Sequence, residues 1–364
     1  MLKKLAYALA LICIGQSLFC QDYNWWINGQ VFEGIILPYG GNRHLIKGRP
    51  SGFELNIQKE LNGTEKWQKL YNLPTINYGF AYYDLKNDAQ LGALYLGSLS
   101  IDLPLGQQHL KDLFLKIGTG LVYSSNPYNR NDNNQNNLIG SSLSYLLQFG
   151  LKYEINLNDQ IKITPGINLT HASNGAQAIP NRGLNMATAN VGVSYKLLNN
   201  KTDNIAIDDT AEQPTAYNYK YYLLVSSGKN TLTYQARNAQ FFFNITLMGQ
   251  KYLSPKSDLQ FGIEYFHSNA LKTAIATSWF NKELNKYPDF RRAALLLGHE
   301  FKAGNIGLIT QLGVYIYQPS KNNMPVYQRY GLKYEFPHHI VGQFAVKAHA
   351  YASEQIEFGL GWRF

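Results

Sequence analysis

Apolar and polar residues alternate with a period of two along nearly the whole chain. The alternation covers residues 29–38, 52–60, 74–85, 90–103, 112–124, 138–157, 160–173 and 185–198. A second set follows at 217–227, 238–252, 257–267, 291–302, 305–317, 325–336, 340–350 and 354–364. Successive side chains of a strand point to opposite faces of a sheet, so each segment predicts a strand with one greasy and one wet face. In 143–157 the greasy face carries Leu143, Tyr145, Leu147, Phe149, Leu151, Tyr153 and Ile155, and the wet face carries Gln148, Lys152, Glu154 and Asn156. The last segment sets Ile356, Phe358, Leu360, Trp362 and Phe364 against Glu357, Gly359, Gly361 and Arg363.

A soluble β-sandwich also alternates, so parity alone does not decide the fold. Strands of about ten residues with aromatics near their ends, joined by alternately short and long connections, match a transmembrane outer-membrane β-barrel. The connection 125–137 is long and rich in asparagine, whereas Asn158-Asp159 is tight. The terminal Phe364 on an alternating strand resembles the assembly signal of bacterial outer-membrane barrels. The fold expected is all-β and antiparallel, one closed barrel of about 14–16 strands. The alternative is an eight-stranded barrel over 22–198 followed by a second eight-stranded β unit over 217–364. Residues 199–216, acidic and without alternation, would then be the turn or linker.

Composition places the chain in a compartment. Lys3 and Lys4 precede an apolar run from Leu5 to Phe19, which reads as a secretory signal peptide over residues 1–21 and is too short for a spanning helix. Phe19 directly before Cys20 disfavours a lipoprotein. Both cysteines would leave with the signal, so neither disulfides nor thiolate metal sites are expected in the mature protein. Of the formal +9 charge, Lys3 and Lys4 supply two, leaving +7. That balance suits anionic lipid head groups, and export argues against nucleic acid. Trp25, Trp26, Trp362 and Phe364 are expected as interfacial anchors.

Chemistry concentrates in 161–198. Ile161, Ile163, Ile167 and Leu169 define a greasy face, and His171 and Ser173 continue its parity; Asn185 shares the greasy parity of Ala187, Ala189, Val191 and Val193. A histidine, a serine and an amide are thus expected to converge on an apolar outer surface. Residues two apart on a strand project side by side, about 6.5–7 Å apart at Cα, which a histidine ring largely spans. His171 can therefore serve as general base for Ser173, the arrangement used in acyl transfer. Asn174, Gly175 and Asn181 supply backbone and side-chain N–H donors for an oxyanion. Arg43, Lys47 and Arg49 form a basic patch in the first outer loop, able to neutralise lipid phosphates. His267-Ser268 lacks the intervening residue and reads as a strand-to-loop transition, and His338-His339 as a turn. No spacing suggests a metal site, and no cofactor is expected.

His171-Ala-Ser173-Asn174-Gly175, then Pro180-Asn181-Arg-Gly183-Leu-Asn185, resembles the PagL-type lipid A 3-O-deacylases. The resemblance is specific over about 165–198 and extends by strand count from residue 29; the half from 217 has no counterpart in the short members. It implies an eight-stranded outer-membrane barrel with a Ser–His–Glu triad on its lipid-facing outside, hydrolysing the acyl ester at the 3-position of lipid A. Ser173 is then the nucleophile, His171 the base, and Asn174, Gly175 and Asn181 the oxyanion donors. The triad acid falls on Asn185, a departure. In serine proteases the aspartate-to-asparagine change costs about 10⁴ in kcat. A working Ser–His–Asn site, a remote carboxylate completing the site and a weak or dead enzyme are all compatible with it. Glu264 has wet-face parity, and Asp84 has greasy-face parity but lies several strands away. The expected function is a carboxylic ester hydrolase acting on lipid A or lipopolysaccharide in the outer leaflet. The alternative is a non-catalytic porin-like or structural barrel with a remnant motif.

Overall fold

The computed structural model describes residues 23–39, 41–106, 112–198, 219–236, 238–321 and 324–364. The expected signal peptide and the 199–216 connection lie outside the described residues. The first set of strands is β1 (Asn24–Ile36), β2 (Ser51–Glu60), β3 (Thr75–Asp84), β4 (Ala93–Pro104), β5 (Leu113–Ser124), β6 (Leu143–Tyr153), the two-residue β7 (Ile155–Asn156), β8 (Ile161–Ser173) and β9 (Leu184–Leu198). The second is β10 (Tyr219–Asn230), β11 (Gln240–Ser254), β12 (Ser257–Ser268), β13 (Arg292–Ala303), β14 (Ile306–Tyr317), β15 (Val326–Glu335), β16 (Ile340–His349) and β17 (Ala352–Arg363).

All pairings are antiparallel, and they close twice. In the first set β1 pairs with β9 and β6 with β8, giving an eight-stranded barrel. In the second, β10 pairs with β17 and closes another eight strands. The single wide barrel gives way to the two-unit alternative. The physical reason lies in the lumen. Eight strands enclose a space that side chains just fill, whereas a wide barrel leaves a channel. Inward residues here reach across and pair: Lys116 with Glu54 at 2.7 Å in the first barrel, Arg329 with Glu264 at 2.5 Å and Lys333 with Glu300 at 2.6 Å in the second. Glu264 therefore sits on the wet face, as its parity requires, and is 3% exposed. Removing its charge by Glu264→Gln leaves Arg329 short of one buried partner. The second barrel should lose about 3 kcal/mol of stability, read as a lower urea midpoint in detergent.

The outer surfaces are greasy. Val31, Ile167, Leu169, Leu312 and Leu360 are each more than half exposed, as a lipid-facing band requires. Among the described residues no helix is long and apolar enough to cross a membrane. Trp362 and Phe364 are exposed as anchors should be. Trp25 and Trp26 are not, contrary to expectation. The first strand begins at Asn24 and shifts register between these two residues, and both rings are buried, with Lys162 Nζ 4.1 Å from the Trp26 ring centre.

The end of the first barrel's lumen that carries the 125–142 and 174–183 loops is apolar. Phe32, Ile36, Leu45, Leu96, Val122, Leu138, Leu146, Ala172, Leu184 and Met186 pack there as one cluster. Ala172 and Leu184 belong to the strands that bear the site. Their burial pins the inward parity, so their neighbours His171, Ser173 and Asn185 face outward. His267 and Ser268 form the expected transition: His267 stacks on Phe243, and Ser268 caps the short helix Asn269–Thr277 by accepting from Leu271 N. His338 and His339 both have positive φ and make the turn before β16.

Candidate active site

His171 lies directly opposite Asn185 in the β8–β9 register, and Ser173 opposite Tyr145 in the β6–β8 register. The cross-strand position explains the closest contact of the group. His171 Nδ1 and Asn185 Oδ1 are 2.7 Å apart. An amide oxygen can only accept, so the ring proton sits on Nδ1 and the Nε2 lone pair is left free as a base.

Gly183 shapes the space beside the ring. Its φ is +77°, and a Cβ there would lie 2.7 Å from His171 Cε1. Gly183→Ala should push the imidazole off Asn185 and lower kcat about 100-fold with little change in KM, since displacements of about 1 Å carry such costs. Steady-state hydrolysis of micellar substrate checks this.

Ser173 Oγ accepts two hydrogen bonds, from Asn181 Nδ2 at 2.9 Å and from Gly175 N at 3.2 Å. Asn181 Oδ1 in turn accepts from Asn174 N at 3.4 Å, which orients the amide. Two of the three expected oxyanion donors therefore converge on the serine. The Asn174 side chain does not. It is fully buried and donates to Ser141 Oγ (3.0 Å) and to the Ala178 carbonyl (3.1 Å), bracing the loop. No direct hydrogen bond joins His171 to Ser173, which leaves proton transfer to a rotation of the serine side chain or a shift of the ring. Catalytic hydrogen bonds often tighten only once substrate is bound.

The asparagine-rich connection between β5 and β6 is a bracket for this site. Asn133 and Asn136 donate to the carbonyl of Asn126, folding the loop on itself, and to that of Gln90, tying it to the β3–β4 connection. Its far end receives Arg182 N at Asn137 O and Gly183 N at Leu138 O. The segment that carries Asn181 and Gly183 is thereby fixed from outside its own hairpin.

Arg43, Lys47 and Arg49 are exposed on the β1–β2 loop and none is hydrogen-bonded to the three central residues. Lys47 donates to Gln90 Oε1 at 2.9 Å, and Arg49 pairs with Glu33 at 3.4 Å. Arg182, which sequence reasoning did not single out, is exposed between the two regions: a Cβ on Gly41 would lie 3.9 Å from its Nη1.

Among the described residues no carboxylate is hydrogen-bonded to His171. Asp84 pairs with Lys86 at 2.6 Å, and Glu264 belongs to the other barrel's lumen. Neither of the two carboxylates weighed from the sequence is therefore bonded to the ring. Nor do the described residues gather three histidine, cysteine or carboxylate side chains fit to hold a metal ion.

Comparison with known proteins bears on the whole chain. Residues 51–194 match the family model described as lipid A 3-O-deacylase (PagL), and residues 217–364 match the one described as acyloxyacyl hydrolase, C-terminal domain (PagL_C). No curated protein matches the chain. Among solved structures, OccK5 (OpdH) of Pseudomonas aeruginosa is similar at 11% identity with a TM-score of 0.24, covering 95% of this chain and 98% of that one. A mutant porin of Rh. blastica is similar at 9% identity with a TM-score of 0.18, covering 93% and 100%. Likeness this slight adds nothing to the barrels read from strand pairing. The two family models between them cover the first barrel from β2 onward and all of the second, and the chain belongs to the PagL-type lipid A deacylase family of outer-membrane β-barrel hydrolases.

Proposed function

We propose that the protein is an outer-membrane serine esterase that removes an ester-linked acyl chain from lipid A. Ser173 is the nucleophile, His171 the base and Asn185 the residue that orients the imidazole. The observation that carries the reading is a single outward-facing group at one rim of the first barrel. In it His171 is bonded to Asn185 through Nδ1, and Ser173 lies under two N–H donors. The bilayer supplies the rest of the reasoning. Lipid A never leaves the membrane, so a site that acts on it must open sideways into lipid.

Ser173 Oγ attacks the acyl carbonyl while His171 Nε2 takes its proton. The negative charge moves to the carbonyl oxygen, and Asn181 Nδ2 and Gly175 N–H, already beside Oγ, turn to that oxygen. Collapse breaks the ester bond; the imidazolium returns the proton to the leaving sugar oxygen, and the acyl group stays on Ser173. A water, deprotonated by Nε2, then attacks the acyl-enzyme; the acyl C–Oγ bond breaks, the imidazolium returns the proton to Ser173 Oγ, and the fatty acid leaves. Asn185 holds the ring through both halves but leaves the imidazolium without a neighbouring carboxylate, so the enzyme should be slow for its class. The exposed basic loop with Arg43, Lys47 and Arg49 would meet lipid A phosphates, which supplies the charge partner such a patch needs.

The rival reading, a non-catalytic barrel with a remnant motif, draws on the amide at position 185 and the missing His171–Ser173 bond. Mass spectrometry of lipid A from cells expressing the full chain separates the two. The esterase removes one 3-hydroxyacyl group; a profile unchanged by folded, membrane-inserted protein favours the rival.

A further inference from the structure

We infer that the second barrel is part of the active site, with Thr231 and Ile356 as positioning residues for the loop that supplies the oxyanion donors. The inference rests on the esterase reading given above. Gly175 and Ala176 have φ of +60° and +65°, a backbone path that holds itself poorly without external contacts. Those contacts come from the other barrel. Thr231, just past the end of β10 and buried, donates its backbone N–H to Ala176 O at 2.7 Å and its hydroxyl to Gln177 O at 2.9 Å.

Ile356 has the outward parity of β17, whose other outward residues Phe358, Leu360 and Trp362 are 51%, 66% and 48% exposed. Ile356 itself is 1% exposed. It is covered by Gly175: a Cβ on that glycine would lie 2.2 Å from Ile356 Cγ1. The residue whose N–H reaches Ser173 thus rests on the lipid-facing side of the second barrel.

The support is itself anchored. Asn230, fully buried, donates to the Glu354 carbonyl at 2.9 Å, tying the Thr231 turn to the β17 segment that carries Ile356. A further seam contact lies beside the nucleophile: Tyr145, opposite Ser173, packs on Phe344 of β16 with ring centres 5.6 Å apart. The second barrel's contacts on this loop are two hydrogen bonds from Thr231 and one apolar seat on Ile356, added to the first barrel's own bracing through Asn174 and Ser141. That gives the C-terminal half a task within the reaction beyond crossing the membrane.

The test compares the full-length chain with Thr231→Val, Thr231→Ser and Ile356→Ala in detergent micelles containing lipid A. Thr231→Val should lower kcat about tenfold, the worth of one hydrogen bond. KM should stay within about twofold, and Thr231→Ser should restore activity. Ile356→Ala should act in the same direction. Hydrogen exchange over 174–182 is read in parallel and should speed up at least about tenfold in Thr231→Val while the strands keep their protection. An active wild type with unchanged kcat in both Thr231→Val and Ile356→Ala overturns the inference. A wild type inert on lipid A instead overturns the esterase reading, and the exchange data then decide the positioning claim: faster exchange supports it, equal exchange ends it.

Discussion

Ser173→Ala should reduce release of hydroxy fatty acid from lipid A by about 10⁴-fold or more, and His171→Ala should reduce it by about as much. The double variant should lose no more than either single one, because a nucleophile and its base act as a unit and their deletions do not add. The residual rate would come from Asn181 and Gly175, whose N–H groups remain in place on the loop. Steady-state kinetics on purified protein in mixed micelles supply the measurement. A His171→Ala variant with near-normal kcat would remove histidine from the proposed mechanism.

The second large effect concerns position 185. Asn185 Oδ1 fixes the ring tautomer through a 2.7 Å contact but carries no charge to stabilise the imidazolium that forms in each transition state. Asn185→Leu should cost about 100-fold in kcat through loss of orientation, within the range that positioned acid–base groups supply. Asn185→Glu should raise kcat by about tenfold or more, since a carboxylate gives both orientation and charge. Both follow from the same steady-state assay, with KM expected to move little. A glutamate variant that is inactive yet folded would mean that the longer side chain cannot reach Nδ1 from this strand position, and that the amide is matched to the local register.

Much of this was legible in the alternation. Each predicted segment became a strand, and the outward parity of His171, Ser173 and Asn185 followed from their neighbours Leu169, Ala172 and Leu184. Closure was not legible. Parity looks the same in one wide barrel and in two narrow ones, because it records which face is wet and says nothing of which strands meet at the ends. The deciding contacts, such as Arg329 with Glu264 across the lumen, join residues far apart in sequence.

The donors divided along similar lines. Asn181 and Gly175 were readable from the motif, but an asparagine looks the same whether it points at Ser173 or, as Asn174 does, away to Ser141. Thr231 and Ile356 carried no signal at all, since one lies in an ordinary polar turn and the other in a regular lipid-facing row. Trp25 and Trp26 misled because aromatics near a strand end are usually interfacial, whereas here both rings are buried, Trp26 by sharing the inward parity of Asn28 and Gln30 and Trp25 beside Lys59 of β2, whose Nζ lies 5.8 Å from its ring centre.

The most direct test is covalent capture of Ser173 from the lipid phase. Full-length protein in lipid A-containing vesicles is treated with a long-chain alkyl fluorophosphonate, digested and mapped by mass spectrometry. The proposed site predicts one adduct on Ser173, lost in His171→Ala and suppressed by added lipid A. An unlabelled Ser173 in vesicles where lipid A is nonetheless deacylated, or an adduct on another residue, would contradict it.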